Sequence, residues 1–345
     1  MKRIFGLILS ALLIFSLSSC KTEVIKVDKI YVEKESTEID SSNAIKSSCA
    51  ITRDSLTFSG TVIDYDSNDG AFYIISYSEL GAISSKNNVK VYSETGDYYN
   101  GRIIGVDSKN SMSLVKVNAP KEAFSVVKAK NSITPGEDVF TVSTPLSIIN
   151  SNYKSCINSV TAGIISGIGP CTFTTSATMN PCSYGGGVYD YSGNFLGILY
   201  DKDYSSVEER LNNEGMTHAI LAEYVYKSYE DMKSLGDVKR TSLGITVVQW
   251  HKGLENFTDY DVQVPDYDYT YVAITEVVDG GNSHGSLQRY DLIDYINGVK
   301  VYANTDISVF INYAKIGDTL NFKIKRYNDR TLSFDDLNVD VVLSK

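Results

Sequence analysis

The chain has 345 residues, of which 43% are hydrophobic and 21% are charged, a mixture that allows buried cores and predicts about two domains. Lys and Arg number 32 against 42 Asp and Glu, so the formal net charge is −10. A surface this acidic argues against nucleic acid as a partner and against broad attraction to anionic lipid headgroups.

The N-terminus has the pattern of a lipoprotein signal peptide. A basic start, Lys2-Arg3, precedes an apolar run over residues 4–17. This run is shorter than the roughly 20 residues of a membrane span and has the length of a secretory signal. It ends in Leu17-Ser18-Ser19-Cys20, which resembles a bacterial lipobox. The pattern predicts removal of residues 1–19, a lipid on Cys20 and an extracytoplasmic protein anchored to the membrane or envelope. An ordinary signal peptide with an incidental cysteine is the alternative.

Four further cysteines, Cys49, Cys156, Cys171 and Cys182, remain in a chain predicted to be exported. An even number in such a chain favours two disulfides, with three possible connectivities. Free buried thiols are the alternative. The sequence contains no Cys-x-x-Cys pair and no histidine cluster. We therefore expect no metal site, and nothing in the sequence indicates a cofactor.

The remaining chain divides into a polar tether and two predicted domains. Residues 20–45 are mostly polar, which is typical of a tether. Residues 46–236 alternate short β-type runs with turn residues, as in a sandwich or barrel, and end in a helical stretch at 221–235. Residues 237–345 show a mixed α+β pattern with short helices predicted near 283–287 and 306–314. The strands predicted in the first domain are Ser59–Asp64, Phe72–Tyr77, Asn88–Ser93, Arg102–Val106, Ser113–Val117, Asp138–Ser143, Ser159–Ser166 and Gly193–Tyr200.

Four stretches of the first domain follow one another in a consistent order. They are the strands within residues 59–76, the run Gly105–Val117, the strand Val160-Thr161-Ala162-Gly163-Ile164-Ile165-Ser166-Gly167, and residues 180–198. In this order they resemble the HtrA family of envelope serine proteases, in which a trypsin-like double barrel precedes PDZ domains. The resemblance implies a mostly β fold, with a chymotrypsin-like double β-barrel at 46–236 followed by a PDZ-like α+β domain at 237–345.

The positions that match the family's catalytic triad carry other residues in this chain. Glu79 stands at the position of the histidine, Ser111 at that of the aspartate and Tyr184 at that of the nucleophilic serine. Cys182 replaces the loop glycine whose N–H helps to line the oxyanion hole. The resemblance therefore implies the protease fold without its catalytic groups.

The remaining residues of the sequence do not supply a substitute for the triad. A serine hydroxyl attacks only when a base removes its proton, and histidine is the usual base because its pKa lies near neutrality. The three histidines, His218, His251 and His284, lie beyond the first barrel, where the family's histidine is found. The neighbouring Ser78 and Ser183 offer a hydroxyl but no base. These observations favour a protein without peptidase activity.

The resemblance also implies a disulfide pairing. The family's loops that correspond to those of Cys156 and Cys182 approach each other, so these two cysteines are the expected pair.

The second domain resembles an HtrA-type PDZ domain. Ser242-Leu243-Gly244-Ile245 matches the carboxylate-binding loop and the strand after it, residues 289–301 match two strands joined by an Asn-Gly turn, and residues 306–313 match the helix of the groove. The resemblance implies that a peptide C-terminus pairs with the edge strand while loop N–H groups hold its carboxylate. A domain that only packs against the barrel is the alternative. The expected groove is formed by Leu243, Gly244, Ile245, Ile307, Phe310 and Ile311.

The sequence as a whole favours a catalytically inactive, HtrA-like lipoprotein that binds protein segments or C-termini in the cell envelope as a scaffold, sensor or regulator. Two alternatives stay open. One is an atypical active trypsin-like endopeptidase, and the other is a structural envelope component that uses the protease fold for assembly. Family members often form trimers, but their contacts are not recognisable in this sequence, which leaves a homo-oligomer open.

Overall fold

The computed structural model describes residues 41–54, 56–82, 88–144, 158–201, 215–250, 271–328 and 330–344. The first six strands close into a barrel in the order β1-β2-β3-β6-β5-β4. These strands are β1 Ser48–Arg53, β2 Leu56–Asp66, β3 Ala71–Tyr77, β4 Asn88–Tyr92, β5 Tyr98–Asp107 and β6 Met112–Asn118. Helix α1, Ser42–Lys46, precedes the barrel, and the one-turn helix α2, Glu79–Ala82, follows β3.

The next six strands close into a second barrel in the order β10-β11-β12-β9-β8-β7. Its strands are β7 Asp138–Ser143, β8 Ser159–Ile168, β9 Thr172–Thr175, β10 Gly187–Asp190, β11 Phe195–Leu199 and β12 Thr217–Leu221. Three short 3-10 turns are formed by Ser108–Asn110, Lys121–Ala123 and Pro181–Ser183.

Side-chain periodicity explains why these segments form barrel strands. Along β5, Gly101, Ile103, Gly105 and Asp107 are buried, while the residues between them are more exposed. This period of two places one face of the strand against a core. The central strand β3 is buried over six consecutive residues, Ala71–Ser76, because both of its faces are covered.

Helix α3, Ala222–Leu235, packs on the two barrels through one face. Its buried residues Ala222, Val225, Tyr229 and Met232 recur at helical spacing and join the core cluster between the barrels. The helix ends at Gly236, which has φ of 75° and donates its N–H to the carbonyl of Met232. A positive φ is readily adopted by glycine and stops the helix at this point.

A third sheet has the strand order β13-β14-β15-β17-β18, with β16 paired to β15. Its strands are β13 Ile245–Trp250, β14 Tyr271–Val277, β15 Leu292–Ile296, β16 Val299–Lys300, β17 Thr319–Asn328 and β18 Ser333–Val342. Helix α4, Asn304–Asn312, covers a core of its own that includes Leu243, Ile307 and Phe322. Among the described strands, β13 therefore lies at one edge of this sheet.

The mostly β fold with two closed barrels confirms the fold class predicted from the sequence. The helix predicted near residues 283–287 is wrong, because this segment forms turns in which Ser283 accepts N–H groups from Ser286 and Leu287. Gly285 has φ of 82°, outside the range of an α-helix. The segment predicted as a tether up to residue 45 includes α1, whose Ala44 is 1% exposed.

Residues Ile39–Lys345 form one compact unit. Within the part of the chain that the structure describes, no helix combines the length and the apolar character needed to cross a membrane.

Candidate functional site

The structure places the three former triad positions on neighbouring loops between the two barrels. Glu79 begins α2 directly after β3, and its side chain is exposed. Ser111 follows the 3-10 turn Ser108–Asn110, and its carbonyl accepts the N–H of Ser78 at 3.2 Å. Tyr184 follows the 3-10 turn Pro181–Ser183, and its ring lies 5.1 Å from the ring of Tyr77. The loops of Glu79, Ser111 and Tyr184 are thus connected through Ser78 and Tyr77 at the end of β3.

Tyr184 makes contacts that a catalytic serine could not make. Its hydroxyl donates to Asp201 Oδ1 at 3.0 Å. The hydroxyl of Tyr77 donates to the other oxygen of the same carboxylate at 3.4 Å. Two phenols and one carboxylate therefore link the loop of Tyr184, the end of β3 and Asp201, two residues after β11.

Sequence reasoning missed Tyr77 and Asp201. The available signal was weak: Asp201 is a carboxylate directly after a predicted strand that ends at Tyr200, a place where side chains often enter a site. The contact with Tyr184 spans 17 residues and the contact with Tyr77 spans 124. A local pattern cannot show a contact of the second kind.

The nucleophile loop is fixed to strand β2 by hydrogen bonds. Ser59 Oγ donates to the carbonyl of Cys182 at 2.8 Å, and Thr61 Oγ1 donates to the carbonyl of Gly185 at 3.0 Å. The N–H of Thr144 donates to Ser59 Oγ at 2.7 Å, which completes the bonding of that hydroxyl. These hydrogen bonds therefore hold the loop in one position against β2.

Ser183 lies beside the nucleophile position but is 1% exposed. Its Oγ accepts hydrogen bonds from Ser143 Oγ at 3.0 Å and from the N–H of Asn180 at 3.2 Å. These contacts turn the hydroxyl into the protein interior. Ser183 is thus a buried structural residue of the loop, held by hydrogen bonds.

A cleft with a volume of about 570 Å³ opens beside the former triad. Its lining includes the hairpin between β8 and β9 and residues of α4. Ser111, Asp201 and His218 also line it. His218 is 6% exposed, and its ring centre lies 6.2 Å from that of Tyr200. The sequence placed His218 only near the end of the second barrel, and the structure brings it to the same cleft as Ser111.

The other two histidines are far from this arrangement or not described. His284 belongs to the third sheet, with its Nδ1 3.5 Å from Asp279 Oδ1. His251 lies outside the described residues.

Burial shifts the pKa of two groups that line the cleft. It raises the pKa of the Cys171 thiol from 9.0 to about 11, so this thiol stays protonated at neutral pH. Burial, followed by the nearby charge of Arg240, lowers the pKa of Lys109. The Nζ of Lys109 donates to the carbonyl of Thr241 at 3.1 Å.

The described cysteines, Cys49, Cys171 and Cys182, form no disulfide with one another. Cys20 and Cys156 lie outside the described residues, so the lipidation and the Cys156–Cys182 pairing stay predictions. No group of His, Cys, Asp and Glu side chains with the geometry of a metal site occurs in the described ranges.

The loop that precedes β13 has its carbonyl groups turned into the third sheet. The carbonyl of Ser242 accepts from Asn282 Nδ2 at 2.7 Å, that of Leu243 from the N–H of Ser283 at 3.0 Å, and that of Gly244 from the N–H of Val278 at 2.8 Å. Gly244 has φ of 68°, which lets the chain turn here.

The residues expected to form the peptide groove lie on or beside strand β13 and on helix α4. Leu243 and Ile307 are 2% and 3% exposed and belong to the core of the third sheet. Ile245, Phe310 and Ile311 are partly buried and pack against this core. Of these five apolar residues, Ile245, Phe310 and Ile311 are thus the ones that remain partly accessible.

Comparisons with known proteins agree with the fold and the loops described above. Residues 58–198 match the family model of the trypsin-like peptidase domain. The chain is 25% identical over 280 residues to the serine protease Do-like HtrA of Lactobacillus helveticus, covering 77% of this chain and 65% of that protein. It is 23% identical to the serine protease Do-like HtrA of Bacillus subtilis, covering 81% of this chain and 63% of that protein. The chain spans slightly less than two thirds of the length of these relatives.

Solved structures show the same architecture. The HtrA-type protease AlgW with decapeptide superposes with a TM-score of 0.64 at 15% identity, covering 88% of this chain and 98% of that chain. The serine endoprotease from Yersinia pestis superposes with a TM-score of 0.59 at 18% identity, covering 88% of this chain and 96% of that chain. Residues 58–198 are therefore similar to a trypsin-like peptidase domain. The chain is similar to HtrA-type serine proteases over more than three quarters of its length.

Proposed function

We propose that this chain is an HtrA-like protein of the cell envelope that has no peptidase activity and binds protein C-termini in the groove between β13 and α4. The observation that carries the first half of the proposal is the hydrogen bond from Tyr184 to Asp201 at the nucleophile position. The Tyr184 hydroxyl is the donor of this bond and is therefore engaged in a contact with Asp201. The exposed Glu79 replaces the histidine that would act as the base.

An active endopeptidase is the second candidate, and two observations favour it. The relatives named above are serine proteases, and His218 shares a cleft with Ser111. A fluorophosphonate probe distinguishes the two candidates, because it labels only a hydroxyl that a base activates. Labelling of the wild-type chain together with cleavage of unfolded casein would support the peptidase, and the absence of both supports the proposal.

The geometry of the loop before β13 supports the second half of the proposal. In a planar trans peptide, each carbonyl and the N–H of the next residue point in opposite directions. Since the carbonyls of Ser242, Leu243 and Gly244 point into the sheet, the N–H groups of Leu243, Gly244 and Ile245 point away from it. Successive N–H groups with one orientation form a concave site for an anion. A peptide that pairs with the edge of β13 would end with its carboxylate at this site.

Peptides with a free C-terminal carboxylate and an aliphatic last residue are expected to bind the full chain with micromolar affinity, since a few residues of β-pairing must offset the ordering of the peptide. The same peptides with an amidated end are expected to bind at least about tenfold more weakly, because the loop donors lose their charged acceptor. Fluorescence anisotropy with labelled peptides measures both affinities.

Phe310→Ala and Val299→Ala form a matched pair for this measurement. Phe310 is partly buried against the groove, and Val299 is 56% exposed on β16 in the same sheet. We expect the first substitution to weaken binding and the second to leave it unchanged. Equal binding of acids and amides, or equal effects of the two substitutions, would show that the domain is a packing module.

Lipid attachment at Cys20 completes the proposal and rests on the signal-like N-terminal sequence. In cells, Cys20→Ala is expected to move the protein from the detergent phase of a Triton X-114 extraction to the aqueous phase or to leave it uncleaved. Ser19→Ala keeps the cysteine and serves as the control. An unchanged distribution of the Cys20→Ala variant would contradict lipidation at this residue.

A further inference from the structure

Arg240 lies between α3 and β13 and is surrounded by carboxylates of the first barrel and of α3. Its side chain is 3% exposed, and that of Asp107 at the end of β5 is 0% exposed. Arg240 Nη2 lies 2.5 Å and Nε 3.2 Å from Asp107 Oδ2. Arg240 Nη1 donates to Asp231 Oδ2 at 2.6 Å. One guanidinium thus joins two carboxylates in the interior of the molecule.

Asp107 also joins this pair to the loop that carries Ser111. It accepts from Ser228 Oγ at 2.9 Å and from Asn110 Nδ2 at 2.9 Å. The same Nδ2 donates to the carbonyl of Asn312, at the end of α4, at 3.2 Å. The two hydrogens of one amide group therefore connect the first barrel to the helix of the third sheet.

Aromatic and cation–π contacts at the C-terminal end of α4 add to this connection. The ring of Tyr313, which follows α4, lies 4.6 Å from the ring of Tyr224 on α3. The guanidinium of Arg240 lies 5.5 Å from the Tyr313 ring, and Lys227 Nζ lies within 6 Å of both rings, at 5.2 and 5.7 Å. Contacts of this length are typical of cation–π pairs.

The segment after α3 is bound to the barrel along its length. The N–H of Val238 donates to the carbonyl of Val106 at 2.8 Å, and Gly105 leaves no room for a Cβ against Gly236 and Met232. Residues 236–241 therefore lack the solvated backbone of a flexible linker.

We infer that Arg240, Asp107, Asp231 and Asn110, named here the Arg240 cluster, hold the third sheet in one fixed orientation on the barrels. Removal of one partner of a buried pair leaves an uncompensated charge, which is relieved when water enters the interface. Loss of Arg240 should therefore open the contact between the sheet and the barrels while each keeps its own core. The peptide groove and the former active-site cleft, which share α4, then have a constant geometry only while this cluster is intact.

Hydrogen exchange measured by mass spectrometry on the full chain in detergent tests this inference. In Arg240→Met, which keeps the length of the side chain and removes its charge, we expect amide exchange to accelerate at least tenfold in residues 236–241 and 308–314. Exchange in β3 and in β17 should stay as in the wild-type chain. Unchanged exchange at the interface, or an equal acceleration throughout the molecule, would overturn the inference.

Two further variants test whether the Arg240 cluster connects the third sheet to the barrels or only neutralises buried charge. Arg326→Met removes a pair with Asp291 that lies wholly inside the third sheet, and it should leave exchange in residues 236–241 unchanged. Arg240→Met combined with Asp107→Asn removes the Arg240–Asp107 ion pair, while Asp231 keeps Lys315 Nζ at 3.5 Å. Because the connection is still lost, residues 236–241 should exchange faster than in the wild-type chain. Wild-type exchange in this double variant would show that the pair only balances charge. If Arg240→Met does not fold, Arg240→Lys keeps the charge without the forked contact and should accelerate the same two segments to a smaller extent.

Discussion

Tyr184→Ser is expected to return a hydroxyl to the nucleophile position without returning peptidase activity. The new serine would have no base, because Glu79 is an exposed carboxylate and Ser111 stands where the orienting aspartate would be. Removing the functional groups of a Ser-His-Asp triad lowers turnover by about 10⁶-fold in a subtilisin-type enzyme. We expect turnover of unfolded casein by Tyr184→Ser to stay below that of an intact relative by about the same factor, and a fluorophosphonate probe to leave the variant unlabelled.

Tyr184→Phe is the control for this experiment, since it removes the hydroxyl, keeps the ring against Tyr77 and adds no nucleophile. Both variants should be compared with the wild-type chain for retention of fold by circular dichroism. If Tyr184→Ser is labelled, His218 is the side chain to examine, because it lines the same cleft as Ser111. Labelling of Tyr184→Ser that disappears on adding His218→Gln would show that the cleft contains a working base and that the loss of catalysis rests on Tyr184 alone.

The barrels could be predicted from the sequence because each strand has a local signal. The predicted strand Asp138–Ser143 coincides with β7, and Phe72–Tyr77 and Asn88–Ser93 each differ from β3 and β4 by one residue. In these segments β-branched and aromatic residues are bounded by turn residues. The local sequence is therefore sufficient to predict a strand. The order of the four matching stretches then identified the closed topology, which periodicity alone could not.

Contacts between distant residues account for what sequence reasoning missed. The Arg240 cluster joins residues 133 positions apart, and Tyr77 meets Asp201 over 124 positions. A charged residue in an amphipathic or loop segment has the same local pattern whether it is solvated or buried against a partner. The same reason applies to Leu243 and Ile307, which were expected as accessible groove walls but lie in the core of the third sheet.

The prediction of a helix near residues 283–287 was wrong for a different reason. The apolar residue Leu287 and the polar residues before it allow a helical turn, and the segment does form hydrogen-bonded turns. Gly285, with φ of 82°, interrupts the helical backbone, and a glycine in sequence does not reveal the sign of its φ.

The loop that contains Tyr184 is a structural contact between the barrels, and Gly185 is its most restricted residue. Gly185 has φ of 89°, its N–H donates to the carbonyl of Leu199 at 2.8 Å, and its own carbonyl accepts from Thr61 Oγ1. A Cβ added here would lie 2.2 Å from the carbonyl oxygen of Ser59 and 2.9 Å from the Cα of Ser76. Both contacts are with the backbone of β2 and β3, which cannot rotate away as a side chain can.

Gly185→Ala is therefore expected to lower the free energy of unfolding by about 3 kcal/mol, the sum of about 1 kcal/mol for an L-residue at positive φ and about 2 kcal/mol for the backbone clash. Gly136→Ala is the matched control, because Gly136 has φ of 85° and a Cβ there would meet nothing within 4 Å. Gly136→Ala should lower the free energy of unfolding only by the cost of an L-residue at positive φ, about 1 kcal/mol. Urea-induced unfolding of both variants, followed by circular dichroism, measures the difference. Equal losses in the two variants would show that the loop moves freely away from β2, and that the hydrogen bonds from Ser59 and Thr61 do not fix the former nucleophile position.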